Sequence, residues 1–128
     1  MEVEKKMMIS QLMTRPVIRI NEDATIQEAA EVMGREHIGT LLVTRGEIEV
    51  GIMTSGDIIS KVLAEKHNIN TTRVKEIMST PLVTVEQHTT GEDALRTMVE
   101  NGVGRLLVAD KGEIVGIFTT SDVTKLVP

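Results

Sequence analysis

One pattern occurs twice in this chain at a single spacing. Gly51-Ile52-Met53-Thr54-Ser55-Gly56-Asp57 returns as Gly116-Ile117-Phe118-Thr119-Thr120-Ser121-Asp122, and Met13-Thr14-Arg15-Pro16 returns as Met78-Ser79-Thr80-Pro81 (122 − 57 = 78 − 13 = 65). A shared offset across two separate motifs marks a tandem duplication, so the fold must use two like units and a ligand site must occur twice or lie between them. At 128 residues the chain has the size of one ordinary domain, and either half alone would bury too little surface for a firm core. Two repeats sharing one core are therefore expected, 1–68 with the N-terminal segment and 69–128.

Each repeat reads as β-α-β-β-α. Val17-Ile18-Arg19-Ile20 and Leu82-Val83-Thr84-Val85 are β-rich runs placed just after a proline, which suits a strand start. Thr25 and Glu28 make a capping box ahead of Ile26, Ala29, Ala30 and Met33 on one helical face, and Thr90 and Asp93 repeat the design ahead of Ala94, Leu95, Met98 and Val99. Gly34 and Gly102 are placed to close these helices. Leu41-Leu42-Val43 and Val50-Gly51-Ile52-Met53 form a predicted hairpin around Arg45-Gly46-Glu47, as do their counterparts around Asp110-Lys111-Gly112. Ile58, Ile59, Val62 and Leu63 start a last helix, a polar stretch from Asn68 to Thr72 reads as linker, and the second copy of that helix is cut short at Pro128. The expected fold is an α/β (α+β) sandwich, two such repeats packed sheet to sheet with helices outside and pseudo-twofold symmetry.

Charge and composition narrow the function. Lysine and arginine number 14 against 19 acidic residues, for a net charge of −5, and Phe118 is the only aromatic residue. Nucleic-acid binders carry the opposite balance, so neither nucleic acid nor a membrane surface is an expected partner. The absence of cysteine excludes disulfides, thiolate metal sites and cysteine nucleophiles. The charged N-terminal stretch through Lys5 and Lys6 has no long apolar run behind it, so a cytoplasmic protein is the default expectation.

The order Met-Thr-x-Pro-hydrophobic at the front and Gly-hydrophobic-hydrophobic-Thr-x-x-Asp at the back, twice and from about Val3 to Val127, resembles the CBS domain family, whose members usually occur as tandem pairs called Bateman modules. The resemblance implies no catalysis and no required cofactor. It implies regulatory binding of AMP, ADP, ATP, NAD or S-adenosylmethionine in clefts between the paired repeats, here by a stand-alone pair that signals to a separate protein.

A nucleoside needs an acceptor for two ribose hydroxyls, an apolar slot for its base and positive charge or N–H donors for phosphate. One carboxylate can accept from both hydroxyls of a cis diol. By resemblance Asp57 and Asp122 are the ribose ligands, Thr54 and Thr119 bond to ribose or phosphate, and Ile52, Met53, Ile117 and Phe118 line the base slots. The family's composite clefts would set Leu82, Val83 and Arg105 beside the Asp57 ligand and Val17 and Ile18 beside the Asp122 ligand. Arg105 is answered by Thr40 in the first copy, which implies tighter binding in the Asp57 cleft because a guanidinium grips phosphate in two places. Thr-x-x-Asp is equally a capping box, a purely structural use of the same spacing. Arg15 is a further source of positive charge or a solvated loop residue, and Lys5, Lys6, Arg73 and Lys75 are expected in solvent.

Other chemistry finds no support in the pattern. His37, His67 and His88 lack metal-ligand spacing, so no metal site is expected, and Ser55, Ser60 and Ser121 have no nucleophile elbow or phosphate loop around them. The eight methionines read as flexible core filler, with Met7 and Met8 able to pack on a partner. Two functions remain: an adenosine-nucleotide sensor, and a ligand-free dimerisation or scaffold module. Both imply a homodimer, because the apolar face around Ile58, Ile59, Val62 and Leu63 needs a cover.

Overall fold

A computed structural model describes residues 7–126 of the chain; Lys5, Lys6 and the Pro128 end of the predicted last helix lie outside them. The chain forms two compact units. One takes in Ile18–Leu82, and the other joins the chain up to Val17 with the chain from Val83 onward.

The first of these contains β1 (Arg19–Asn21), α1 (Ile26–Glu36), β2 (Thr40–Arg45), β3 (Ile48–Thr54), α2 (Ser55–Asp57), a π-helical turn (Ile58–Leu63) and α3 (Val74–Ile77). The second contains a 3-10 turn (Ile9–Gln11), β4 (Thr84–Glu86), α4 (Gly91–Asn101), β5 (Arg105–Asp110), β6 (Glu113–Thr119) and a 3-10 helix (Thr120–Leu126). Each has a three-stranded sheet, in the order β1-β2-β3 or β4-β5-β6. The first pair is parallel and joined by the helix, and the second is an antiparallel hairpin. The duplication extends to irregularities: the ladder slips between Val43 and Thr44 and again between Val108 and Ala109.

Two similar cores follow, one within each unit, in place of the single shared core expected from the sequence. Ala29, Met33, Leu41, Val43, Met53, Val74 and Ile77 fill one, and Ala94, Met98, Leu106, Val108, Phe118, Ile9 and Leu12 fill the other. Each of these residues corresponds to its counterpart at the 65-residue offset. Burial of a large apolar side chain contributes about 1.5–3 kcal/mol, so seven matched positions account for much of why both halves reach one fold.

The units are cut differently from the sequence repeats. Residues 72–79 pack on the first repeat and residues 7–14 on the second, so each front segment completes the unit that holds the other copy's final strand. At the start of α1, Ile26 N–H donates to Thr72 O (3.0 Å) and Gln27 N–H to Ile69 O (3.0 Å). At the start of α4, Gly91 N–H donates to Met7 O (2.8 Å). The polar stretch 68–72 is thus no free linker, because helix N-termini expose N–H groups that need acceptors and its carbonyls supply them. Met7 and Met8 are likewise engaged within their own unit, Met7 against its core and Met8 in a bridge to Thr90.

Other expectations shift by a few residues. The strands begin at Arg19 and Thr84, two residues later than the β-rich runs, since the chain passes from one unit to the other at 17/18 and 82/83. Gly34 lies inside α1, and His37 closes that helix at φ 54°. Gly102 closes α4 as expected, at φ 62°. His37 is the true counterpart of Gly102 at the 65-residue offset.

Candidate functional site

The last strand of each sheet delivers a threonine into a tight helical start. Thr54 is the extended N-cap of α2; its N–H donates to Asp57 Oδ2 (2.9 Å), and Asp57 N–H donates to Thr54 Oγ1 (3.1 Å). In the other unit Thr119 N–H donates to Asp122 Oδ2 at 2.9 Å. Its hydroxyl pairs with Ser121 Oγ at 2.8 Å. Gly56 stands where Ser121 would be in the first copy and has no hydroxyl to compete, so only that copy closes the reciprocal box.

The front motif supplies the next partner. Thr14 and Ile117 exchange backbone hydrogen bonds (2.8 and 3.2 Å), as do Ser79 and Ile52 (2.7 and 3.1 Å), so the front segment bridges to the edge of the hairpin. That register carries the Ser79 hydroxyl to Asp57 (3.3 Å to Oδ1, 3.4 Å to Oδ2) and the Thr14 hydroxyl to Asp122 (3.3 Å to each oxygen). Lysines complete both sites: Lys61 Nζ lies 3.1 Å from Asp57 Oδ1 and Lys125 Nζ 2.8 Å from Asp122 Oδ1.

Both carboxylates are buried, at 7% and 4% exposure. Burial works to raise the Asp57 pKa, yet the Thr54 N–H and the Lys61 ammonium outweigh it and hold the carboxyl below the usual aspartate value. Each site therefore combines a carboxylate, an ammonium, two hydroxyls and a strand end in one place.

Of the residues expected to line a base slot, Met53 and Phe118 are fully buried within the two cores. Ile52 and Ile117 lie on the opposite strand face, as alternation along a strand requires. Leu82 and Ile18 belong to the Asp57 unit, and Val17, Val83 and Arg105 to the Asp122 unit. Arg105 opens β5 in register with Thr119, and Thr40 opens β2 in register with Thr54. Arg15 and the three histidines are exposed; His88 pairs with Glu86 at 2.8 Å. Arg73 and Lys75 are exposed but tied to Asp23, through its carbonyl and its carboxylate (2.8 Å each). Sequence reasoning missed Ser79, Thr14, Lys61 and Lys125. The hydroxyls were visible in the front motif, whereas the lysines fall one residue out of the common offset.

Comparison with known proteins settles the lineage. A family model described as CBS domain matches residues 9–64 and again 74–128. The chain belongs to the CBS domain family. The CBS domain-containing protein YhcV of Bacillus subtilis is 32% identical to it, over 89% of this chain and 81% of YhcV. The uncharacterized protein MK0525 of Methanopyrus kandleri is 31% identical, over 94% of this chain and 62% of its own length, so the chain spans under two thirds of that relative. Among solved structures, a hexameric CBS-CP12 protein from bloom-forming cyanobacteria superposes with a TM-score of 0.84 at 31% identity, covering 94% of this chain and 72% of that one. This CBS pair shares the architecture of that structure, and among its described residues no helix is long and apolar enough to cross a membrane.

Proposed function

We propose that this CBS pair is a regulatory module that binds an adenosine-containing ligand, AMP, ADP or ATP ahead of NAD or S-adenosylmethionine, and reports its presence to a separate protein. Asp57 and Asp122 accept from the ribose hydroxyls, with Thr54 and Thr119 beside them. The observation that carries the reading is the length of the hydroxyl contacts. Ser79 and Thr14 approach the carboxylates only to 3.3–3.4 Å, where a hydroxyl bonded well to a carboxylate sits at about 2.5–2.7 Å. Each carboxylate oxygen already accepts from a backbone N–H or a lysine, so the hydroxyls hold only the remaining acceptor positions, and a cis diol offers two better donors for those. The module performs no catalysis in this reading.

A second reading has support of its own. The reciprocal bonds between Thr54 and Asp57 make the motif a helix cap in its own right. A scaffold that only self-associates would need nothing more. Of the face expected to need a cover, Val62 is buried in its own unit's core and Ile58 packs against it; Ile59 and Leu63, four residues apart and 63% and 58% exposed, remain as an apolar face for a second copy in either reading.

Thermal denaturation with AMP, ADP, ATP, NAD and S-adenosylmethionine separates the two, since a ligand that binds only the folded state raises its stability. Saturable stabilisation by at least one compound is expected. No shift with any of them at millimolar concentration sinks the sensor and leaves the scaffold.

A further inference from the structure

The offset relating the two halves slips by one residue just after the aspartates. Asp57 and Asp122 are 65 apart, but Lys61 and Lys125 are 64 apart, as are the buried Val62 and Leu126 that follow them. One residue changes direction by about 100° around a helix, and of the possible spacings only three and four keep a lysine on the face of its carboxylate. Helix geometry absorbs the difference. The first copy widens into the π-helical turn Ile58–Leu63, which lets Lys61 sit four residues past its aspartate. The second tightens into the 3-10 helix Thr120–Leu126, in which residues three apart eclipse and Lys125 sits three past.

Both ammonium groups arrive at the same three-way contact. Lys61 Nζ donates to Asp57 Oδ1 and to Ile77 O (3.2 Å), and Lys125 Nζ donates to Asp122 Oδ1 and to Leu12 O (2.9 Å). Leu12 and Ile77 are counterparts at 65. They belong to the front segments, two residues before the Thr14 and Ser79 hydroxyls that reach the carboxylates. Each lysine therefore ties a buried carboxylate to a segment distant in sequence, and the tie is kept at both spacings.

We propose that Lys61 and Lys125 are equivalent clasps that hold each front segment against its aspartate, and that a nucleotide diol taking the carboxylate opens them. The second half rests on the nucleotide reading above. The ammonium groups belong to side chains 41% and 50% exposed, so a released lysine can turn to the phosphate of the same ligand. Binding would thereby be converted into loosening of residues 72–79 or 7–14, a change that a partner protein can read.

Amide hydrogen exchange tests this by reporting on the bridges Ser79/Ile52 and Thr14/Ile117. Lys61→Met keeps the stem and removes the charge; it should speed exchange at Ser79 and Ile52 roughly fivefold while sparing Thr14 and Ile117, and Lys125→Met should do the reverse. Lys61→Arg and Lys125→Arg should restore slow exchange, which separates the clasp from a packing effect. Unchanged exchange in both methionine variants overturns the clasp whatever binds. In the wild type, saturating AMP, ADP or ATP should speed exchange at the same amides, and in the methionine variants add nothing. A nucleotide that stabilises the protein but leaves these amides unaltered overturns the coupling while the binding reading stands. If no nucleotide binds, the binding reading falls and the coupling with it, and the exchange rates of the ligand-free variants still decide the clasp.

Discussion

Met78 lies across Gly51 so closely that a Cβ on the glycine would come within 2.6 Å of the methionine sulfur. Met13 covers Gly116 in the same way, and a Cβ there would collide with its sulfur. The first residue of one copy's front motif thus seats on the first residue of the other copy's back motif.

Gly51→Ala and Gly116→Ala should each destabilise by about 1–3 kcal/mol through overpacking, read as a lower urea midpoint with an unchanged slope. Combining Gly51→Ala with Met78→Ala should cost less than the two single changes added together, because the shorter side chain removes the clash. Strict additivity would disprove the contact.

His37 occupies a left-handed conformation that glycine adopts freely, and its counterpart Gly102 has that glycine. His37→Gly should therefore raise stability by up to about 1 kcal/mol, the relief of strain outweighing the added freedom of the unfolded chain. Gly102→Ala should lower it by a similar amount. Chemical denaturation of the two variants checks both signs.

The depressed pKa of Asp57 fixes the direction of one pH effect. Its carboxyl binds a proton less readily when folded than in the unfolded chain, where the reference value is 3.8, so the unfolded state takes up protons first. The stabilisation is complete above that reference and is lost as pH falls through the folded value. Asp57→Asn should flatten the stability profile below about pH 4 and leave its slope near neutrality unaltered. Thermal melts across pH 2–7 measure it.

Aspartate variants also distinguish binding from capping. Loss of a helix cap costs about 1 kcal/mol, so Thr25→Ala and Asp57→Ala should lower stability comparably or the latter somewhat more. Only the aspartate variant should lose nucleotide affinity, by about tenfold or more for the removal of a charge-assisted pair. Arg105→Ala combined in turn with Asp57→Ala and Asp122→Ala assigns the arginine to one carboxylate: calorimetry should show it non-additive with its partner and additive with the other.

The exposed pair on the π-helical turn bears on self-association. A dimer seated on this pair, as proposed above, should fall to monomer in sedimentation velocity when Ile59→Lys and Leu63→Lys are combined, without a lower melting temperature at high dilution. An unaltered sedimentation coefficient would rule this pair out as a contact between copies.

Much of this architecture was legible from local pattern. Thr25 with Glu28 and Thr90 with Asp93 marked helix starts because a cap is a contact between residues three apart. The hairpins around Gly46 and Gly112 were readable for the same reason, as both glycines stand at positive φ. The buried stripe of Ala29 and Met33 followed from helical period, and so did that of Ala94 and Met98, whereas Ala30 and Val99, assigned to the same faces, are exposed.

What local pattern could not supply is which copy each front motif serves. Met13, Thr14, Met78 and Ser79 were visible as a repeated motif, yet their partners Gly116, Asp122, Gly51 and Asp57 lie from 22 to 108 residues away. A duplicated sequence is equally compatible with each front motif closing on its own copy. The choice falls to hydrogen-bond satisfaction and packing at long range, where Thr72 O meets Ile26 N–H and Met7 O meets Gly91 N–H. The lysines show the same division. Sequence alone determined that the two halves share a fold and that an aspartate follows each last strand; only tertiary structure decided that Lys61 and Lys125 are equals. Equivalence there depends on where a side chain ends in space, and a π turn and a 3-10 helix carry two different spacings to one place.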